Sequence, residues 1–543
     1  MSFDNQSRLD LTIKRPSLFS YWPLLCLIGI GIIGHIFFLP APFVNLEYVY
    51  HQSAEVITNG LGLKPSLLHL SEGFNNPLGN VIAIAGTQSV FGVTEWSSRL
   101  SSLVSWLICV SAICLIVCRW WSLSVGLLAA TIIGFSPLFW VYGGIAYPDV
   151  PFTALITVTM FVSGHATYRH SLKRHLLAAL LFGLATLFRY NGTLFLPAVA
   201  IYVVLQMRLN QKIDRITNWK IDIIKVLSIY IVVYGVILIP YLVWTKQVVG
   251  MVLRPGFVNV EPTDIRFHIV ASVPRLGGYL IWLGALVLPF TSLAFKQIRI
   301  QIQQPSLSVV AAILIPVNLA IIAAVRYLEV TSGELFGEMW FGWLERLFPM
   351  VLIQLLRFLF LTAGEVVIAG LIVWGRQKMW PNTFVVLWLL VPLLTHSLYR
   401  MSQRYVMFFL PPLAVYMAWL TVKSGTFGKH RTIAIALCVI YMIIYPSMGL
   451  FTSAYYSAEG YAAADIAEYV NEKKINIGAS RHNPVLTNSA YLIDESRFPE
   501  SDLLIDHRLV ALGRYETIEN VVYVREVRVI GLLMKRYVIV QLS

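Results

Sequence analysis

The chain has 543 residues, of which 57% are hydrophobic and only 13% are charged. Its mean hydropathy of +0.71 excludes an ordinary soluble domain. Its net charge of +13 comes from basic residues spread over short loops, which excludes a compact nucleic-acid-binding face. Apolar runs of about 18 to 25 residues, long enough to cross a bilayer, recur along most of the sequence. The composition therefore predicts an integral membrane protein.

The first apolar run covers residues 18–39 and is too long for the core of a signal peptide. We expect a retained first span, preceded by a cytoplasmic segment of residues 1–17. All five cysteines fall within apolar runs, where a thiol behaves as a small hydrophobic group. This placement indicates neither a disulfide framework nor a zinc site. The cysteines are Cys26, Cys109, Cys114, Cys118 and Cys438.

Basic clusters set the orientation of the predicted spans. Arg8, Lys14 and Arg15 precede the first span and place it with its amino terminus inside. The later basic clusters fall on the same side if there are about thirteen spans. That number requires residues 76–91 to lie on the outer surface as an interfacial helix. The predicted spans are 18–40, 99–118, 122–142, 150–168, 175–188, 192–208, 221–245, 270–295, 306–325, 348–374, 381–397, 405–422 and 432–453.

The long connections of this topology lie on the outer face, where we expect the functional residues. They cover residues 41–98, 143–149, 246–269, 326–347 and 398–404. After residue 453 the sequence becomes mixed polar, with an amphipathic helical pattern followed by alternating apolar runs. We therefore predict an all-α polytopic membrane domain over residues 18–453 and a small outer α/β domain over residues 454–543.

The first outer loop carries a candidate carboxylate, Glu47, in the stretch that also contains Tyr48, Tyr50 and His51. A carboxylate at a membrane boundary can act as a general base when it is partly desolvated and faces a hydroxyl. The competing interpretation is a solvated loop acid, because outer loops carry such residues routinely.

A second candidate carboxylate, Asp149, lies between Pro148 and Pro151 at the mouth of a predicted span. The two prolines stiffen the turn and would hold the side chain in one place. The competing interpretation is an N-cap for the helix that follows, since aspartate is favoured at that position.

Five cations fall in short outer connections, where the positive-inside rule predicts few. Arginine binds phosphate through two parallel hydrogen bonds and lysine binds it as a point charge, so a lipid phosphate or diphosphate is the predicted partner. Contact with outer-leaflet headgroups or with loop acids is the alternative for any single member. The five are Arg189, Lys246, Arg254, Arg400 and Arg404.

Several stretches resemble the polytopic GT-C glycosyltransferases, which include the protein O-mannosyltransferases (glycosyltransferase family 39) and the lipid A aminoarabinose transferase. The first stretch, "LEYVYHQSA", keeps Glu47, Tyr50 and Ala54 of the superfamily's first-loop pattern. The stretches "VTEWSSRL", "AYPDVPFTAL", "GLATLFRYNGTLFLP" and "QRYVMFFLPPLAVY" follow in the superfamily's order. The resemblance covers residues 18–453. At the positions of the superfamily's usual catalytic aspartate, this chain has Asn45 and Leu46.

The resemblance implies transfer of a sugar from a polyprenyl-phosphate donor to an acceptor hydroxyl on the extracytoplasmic face of the plasma membrane, with inversion. It implies Glu47 as the general base and the outer cations as partners of the donor phosphate. Asp149 would hold the acceptor, orient a neighbour or help to bind Mg²⁺ or Mn²⁺, which part of the superfamily uses. The acceptor would be a lipid, a glycan or a protein. The residues expected to contact sugar or acceptor are Tyr48, Tyr50, His51, Tyr147 and Trp340.

Two other functions compete with this one. A transporter or flippase of lipid-linked sugars would also need cations near the membrane surface, but such proteins more often contain internal repeats, and none is evident in the sequence. A catalytically altered GT-C member that binds a polyprenyl lipid or a partner protein is the other alternative. Asn45 and Leu46, in place of the usual aspartate, keep that alternative open.

Overall fold

The computed structural model describes residues 18–44, 47–62, 77–214, 219–249, 262–301, 307–332, 349–376, 380–399, 402–425, 431–473, 477–478, 507–512, 521–529 and 532–541. Within these ranges the chain is mostly helical and ends in a small β-sheet. The predicted helical membrane architecture is confirmed at this level.

The amino-terminal helices alternate between long apolar segments and shorter ones near the candidate site. The turn before α4 is a capping box, in which Thr94 and Ser97 each satisfy the other's backbone N–H at 3.2 Å. Pro137 begins α6, which is bent by 67° relative to α5. The bounds are α1 Trp22–Ile36, α2 Glu47–Thr58, α3 Gly79–Phe91, α4 Glu95–Trp120, α5 Leu123–Gly134, α6 Pro137–Gly143, α7 Asp149–Tyr168 and α8 Leu172–Phe188.

Two short 3-10 helices interrupt the later helices near the candidate site. We call them the Tyr190 segment (Tyr190–Phe195) and the Gln403 segment (Gln403–Phe409). A third, Leu288–Phe290, joins α11 to α12. The α-helices are α9 Leu196–Asp214, α10 Trp219–Val249, α11 Pro262–Val287, α12 Thr291–Gln301, α13 Leu307–Ser332, α14 Met350–Gly375, α15 Trp380–Tyr399, α16 Leu410–Gly425 and α17 Arg431–Lys473.

Each predicted span overlaps a helix, but thirteen spans are not established. Nine helices in the described residues are long and apolar enough to cross a bilayer, or ten if the bent pair α5–α6 forms one span. The helix α1 and the segment Leu314–Leu328 of α13 are apolar but shorter. The predicted interfacial stretch 76–91 contains the 13-residue helix α3. Its position on the membrane surface stays a prediction.

Small residues permit close packing between helices α11 and α14. A Cβ atom added to Gly284 would lie 1.7 Å from the carbonyl oxygen of Phe360, and one added to Gly364 would lie 2.2 Å from that of Leu280. The two backbones therefore touch, as at many helix crossings in membranes. Substitution of either glycine by alanine would force these helices apart.

The candidate site is built where several helix ends converge. Helix α2 packs against α3, and α3 packs against α4. Helix α7 begins at Asp149 and contacts α4, α8 and the Gln403 segment. These contacts bring the first outer loop, the start of α7 and the two 3-10 segments into one neighbourhood.

The carboxyl-terminal residues form a sheet that packs on a long helix. Helix α17 has 43 residues and extends well beyond residue 453, the predicted end of the last span. The strands β1 Ile477–Gly478, β2 His507–Leu512, β3 Val521–Val529 and β4 Leu532–Gln541 lie in the order β1-β2-β4-β3. Strand β1 pairs with β2 in parallel, and the other pairs are antiparallel. Arg525 of β3 forms an ion pair with Asp465 of α17. The division into domains at residue 454 stays a prediction.

Candidate active site

Glu47 is the first residue of α2, and its side chain is fully buried. Its carboxylate accepts four hydrogen bonds. Two come from Arg99, Nε to Oε1 at 2.9 Å and Nη2 to Oε2 at 2.8 Å. The other two come from the backbone N–H groups of Val44 at 3.0 Å and Ala146 at 2.7 Å. Two carboxylate oxygens offer about four lone-pair positions, so this carboxylate is saturated.

The guanidinium of Arg99, on α4, also ties down the chain that enters the first outer loop. It donates to the carbonyl oxygens of Leu39 at 2.9 Å and Pro42 at 3.2 Å, and it also donates to those of Phe38 and Ala41. The Glu47–Arg99 pair therefore fastens the end of α1, the start of α2 and the loop before α7 to α4. These contacts weigh against Glu47 as the general base, because that role requires a free lone pair.

Near the Glu47–Arg99 pair, His51 belongs to a polar network between α2, α3 and α4. Its Nδ1 atom lies 2.8 Å from Ser98 Oγ and 3.2 Å from Gln88 Nε2. Burial lowers the pKa of His51, and nearby Glu55, Glu95 and Glu47 offset part of that effect. Tyr48 is half-buried on the same helix. The network makes His51 part of the packing of the first outer loop.

Asp149 is the first residue of α7, and its side chain is also fully buried. Its partner is Arg189, which follows α8 and is only 3% exposed. Arg189 Nη2 lies 2.9 Å from Oδ2, to which it donates, and 2.8 Å from Oδ1. Within the described residues, Oδ1 receives no well-directed hydrogen bond, and Nε of Arg189 also lacks an acceptor. The Asp149–Arg189 pair can therefore form further hydrogen bonds with a ligand, whereas the oxygens of Glu47 are already fully hydrogen-bonded.

A second cation, Arg404 of the Gln403 segment, lies within electrostatic range of Asp149. Its guanidinium carbon is 5.3 Å from the centroid of the Tyr147 ring. Arg189 lies over the rings of Tyr405 at 5.3 Å and Phe408 at 5.8 Å. Both cations are thus held on aromatic faces, which favour them electrostatically. One carboxylate and two guanidiniums leave this cluster with one surplus positive charge among the described residues.

Three tyrosines line the cluster beside Arg404. The ring of Tyr147 lies 5.6 Å from that of Tyr50 and 6.0 Å from that of Tyr142, each edge to face. Tyr50 and Tyr147 were expected near the sugar, and the structure brings both to the cluster formed by Asp149, Arg189 and Arg404. We call this set the Asp149 cluster.

The structure does not bring every predicted residue to the cluster. Lys246 is exposed near the carboxyl end of α10, and none of the contacts that the described residues make with Asp149 or Arg189 involves it. Arg254, Arg400 and Trp340 lie outside the described residues, as do Asn45 and Leu46. Their predicted roles stay predictions.

The described residues do not fit the divalent metal that the resemblance implied. No group of three or more His, Cys, Asp or Glu side chains comes together within them. The two candidate carboxylates, Glu47 and Asp149, each face a guanidinium instead of another acid. Since Mg²⁺ and Mn²⁺ prefer clustered oxygen ligands, two acids that are already neutralised by arginine are poor ligands.

The sequence did not single out several residues that complete the site. Arg99 lies in the quoted stretch "VTEWSSRL", where an arginine at the start of an apolar run was an available signal. The rings of Tyr405 and Phe408, under Arg189, lie in the quoted stretch that contains Arg404. The pairing of residues far apart in sequence could not be read from local pattern.

One family model matches part of the sequence. Residues 75–244 match the family model described as dolichyl-phosphate-mannose-protein mannosyltransferase. The matched region contains Arg99, Asp149 and Arg189 but not Glu47. No curated protein matches the sequence.

Two solved structures are similar to this chain, and one of them has a TM-score above 0.5. The crystal structure of ArnT from Cupriavidus metallidurans bound to undecaprenyl phosphate is similar with a TM-score of 0.51 and 11% identity, over 96% of this chain and 98% of that chain. The archaeal oligosaccharyltransferase AglB from Archaeoglobus fulgidus, in complex with an inhibitory peptide and a dolichol-phosphate, gives a TM-score of 0.48 and 11% identity, over 91% and 70%. The similarity to ArnT shows that this chain has the same overall fold.

Proposed function

We propose that this chain is a member of the GT-C superfamily and that it transfers a sugar from a polyprenyl-phosphate donor to an acceptor hydroxyl. The observation that supports this function best is the Asp149 cluster. In it, one buried oxygen of Asp149 accepts no well-directed hydrogen bond from the described residues. Two guanidiniums surround this carboxylate and leave a surplus positive charge. A phosphate anion supplies the missing negative charge, and a hydroxyl supplies the missing hydrogen bond.

The proposed reaction is a displacement at the anomeric carbon with inversion. Asp149 Oδ1 accepts the proton of the acceptor hydroxyl while the hydroxyl oxygen forms a bond to the anomeric carbon. The bond between that carbon and the phosphate oxygen breaks on the opposite side. The negative charge that develops on the leaving phosphate is stabilised by Arg189 and Arg404.

The aromatic side chains of the cluster would position the sugar. Tyr50 and Tyr147 are buried and pack edge to face, so their rings are rigid. A rigid aromatic surface packs against the C–H face of a sugar ring, and a tyrosine hydroxyl can bond to a sugar hydroxyl. Asp149 is fully buried, so substrates must displace side chains to reach it.

In this proposal Glu47 is a positioning residue and Asp149 is the general base. Glu47 holds the backbone N–H of Ala146, three residues before Asp149, so it helps to fix where α7 begins. The substitution of the superfamily's usual aspartate by Asn45 or Leu46 then changes which acid accepts the proton. We place the reaction on the extracytoplasmic face of the plasma membrane, with a lipid, a glycan or a protein as acceptor.

The test is a transfer assay with purified protein in nanodiscs. Polyprenyl-phosphate hexoses and pentoses, labelled in the sugar, are incubated with a panel of lipid, glycan and peptide acceptors. The proposal predicts labelled acceptor with wild-type protein, little with Asp149→Asn, and substantial transfer per folded molecule with Glu47→Gln. The Glu47→Gln variant is the matched control because it also neutralises a buried carboxylate that faces an arginine.

Other outcomes separate the alternatives. Binding of the donor lipid without transfer to any acceptor would support a binding protein of the same fold. Movement of the labelled donor across a proteoliposome membrane without transfer would support a flippase. Transfer that Asp149→Asn leaves unchanged would contradict the assignment of the base.

A further inference from the structure

Two arginines of the Asp149 cluster are held by chain segments that are far apart in sequence. Arg189 directly precedes the Tyr190 segment, and Arg404 belongs to the Gln403 segment. Both are 3-10 helices, which are short and poorly hydrogen-bonded, so neither segment is rigid by itself. Something must fix one segment relative to the other if both guanidiniums are to face one phosphate.

A hydrogen bond joins the Tyr190 segment to α15, the helix that precedes the Gln403 segment in the sequence. Asn191 of the Tyr190 segment lies 3.1 Å from His396 near the end of α15, Nδ2 to Nε2. Asn191 is 4% exposed and His396 is fully buried. The two residues are 205 positions apart in the chain.

The chemistry of the partners assigns the protonation of His396. Its Nδ1 atom lies 2.8 Å from the carbonyl oxygen of Pro392, which can only accept a hydrogen bond. Nδ1 therefore carries the proton, and Nε2 offers a lone pair to the amide of Asn191. Both ring nitrogens are satisfied, so the imidazole is fixed in one orientation.

The imidazole ring is also the point where side chains of both segments meet. Phe195 of the Tyr190 segment lies 6.1 Å from it, and Phe409 of the Gln403 segment lies 5.3 Å from it. Tyr405 and Phe408, the rings under Arg189, each lie 5.8 Å from it. A shift of His396 would therefore move the support of Arg189 together with the segment that carries Arg404.

We infer that Asn191 and His396 are positioning residues that hold Arg189 and Arg404 at the spacing needed for one donor phosphate. This inference rests on the proposed function. Neither residue contacts the substrate. Each acts by holding the 3-10 segments that carry or support the two arginines. Because misplacement of a binding group by about 1 Å can cost up to about 100-fold in rate, loss of the tie has a measurable consequence.

The experiment measures undecaprenyl phosphate binding, donor kcat/KM and thermal stability for the same set of variants in nanodiscs. We expect His396→Leu and Asn191→Leu each to weaken binding and to lower kcat/KM by about 10- to 100-fold. The double variant should lose about as much as either single one, because both remove the same bond. His396→Gln, whose side-chain oxygen can accept from Asn191, should retain most of the binding.

The matched control is His175→Leu. His175 is a fully buried histidine on α8, with Nδ1 3.3 Å from Tyr230 Oη, at the opposite end of the helix from Arg189. Its replacement should lower thermal stability without changing lipid binding. If His396→Leu and Asn191→Leu behave like His175→Leu, with wild-type binding and kcat/KM, the positioning role is overturned while the proposed function stands.

Failure of the proposed function has a different signature. In that case wild-type protein itself fails to bind undecaprenyl phosphate or to transfer sugar, and Arg189→Gln changes neither measurement. The positioning role of Asn191 and His396 would then be wrong together with the proposed function. If His396→Leu does not fold, the comparison of His396→Gln with Asn191→Leu still decides the outcome, since only the second removes the bond.

Discussion

Among the described residues, two buried carboxylate–arginine pairs lie near the start of α7, and they differ in the hydrogen bonds that their carboxylate oxygens can still accept. Glu47 accepts four hydrogen bonds, two of them from backbone N–H groups, and its pair with Arg99 is neutral. Asp149 contacts one nitrogen of Arg189, has an oxygen without a directed donor, and has a second arginine nearby. Burial alone does not distinguish the two acids, because both side chains are fully buried.

A buried acid whose oxygens all accept hydrogen bonds serves the structure, whereas one with an oxygen still open to a donor is available for chemistry. A saturated pair stabilises the fold because breaking it strands a charge in a medium of low dielectric constant. An unsaturated cluster with surplus charge is costly to the apo protein and gains most when a ligand of opposite charge enters. Variants at the two pairs separate these two behaviours.

Asp149→Asn tests whether Asp149 is the general base. The amide cannot accept a proton from the acceptor hydroxyl, so we expect turnover to fall by about 1,000-fold, within the range for general-base catalysis. Single-turnover transfer of labelled sugar in nanodiscs is the measurement. A loss below about tenfold would place the base elsewhere.

Glu47→Gln tests whether the Glu47–Arg99 pair stabilises the fold. The amide leaves Arg99 buried without its counter-charge, and we expect the free energy of unfolding to fall by about 3 kcal/mol. Thermal melting followed by intrinsic fluorescence in detergent checks this, with activity normalised to the folded fraction. Normal stability combined with a turnover loss of about 100-fold or more would instead support Glu47 as the base.

Arg404→Gln tests the surplus charge. Removing it leaves the neutral Asp149–Arg189 pair, so we expect undecaprenyl phosphate binding to weaken by about tenfold and to depend less on salt. The control is Lys225→Gln, because Lys225 is an exposed cation near the start of α10 that pairs with Asp222 at 3.7 Å. Equal binding by the wild type and Arg404→Gln would contradict the assignment of Arg404 to the phosphate.

The smallest effect concerns His51, which stabilises the first outer loop in its neutral form. Burial lowers its pKa in the folded state, so below about pH 6.5 the unfolded state takes up a proton first and stability falls. Above about pH 6.5 the contribution is constant. We expect the stability advantage of wild type over His51→Gln to shrink by ~1 kcal/mol or less between pH 7.5 and 5.5. An advantage that grows on acidification would mean that the pKa is raised.

The sequence predicted the helical membrane architecture and pointed to both buried acids as candidates because these depend on local signals. Apolar runs of membrane-spanning length locate the helices, and Asp149 between two prolines marks the start of α7. The choice between the acids depended on distant partners. Glu47 pairs with Arg99 and Ala146, which lie 52 and 99 residues away in the sequence. Asp149 pairs with Arg189, which lies 40 residues away. Such partners are set by tertiary packing, which periodicity and composition do not encode.

The same limit explains what the sequence missed at the cluster. The hydrogen bond between Asn191 and His396 joins residues 205 positions apart, and no local pattern in the sequence pairs them. Arg189 and Arg404 could be found because cations are unexpected in outer loops. Lys246 met the same criterion, yet it is exposed and takes no part in the described contacts of the cluster.

The most direct test of the central claim is the position of a bound lipid phosphate. Cryo-electron microscopy of the protein in nanodiscs with undecaprenyl phosphate would place that phosphate relative to the two acid–arginine pairs. We predict phosphate oxygens within hydrogen-bonding distance of Arg189 or Arg404, beside Asp149. A phosphate bound against Arg99, or at a site that touches neither Arg189 nor Arg404, would contradict it.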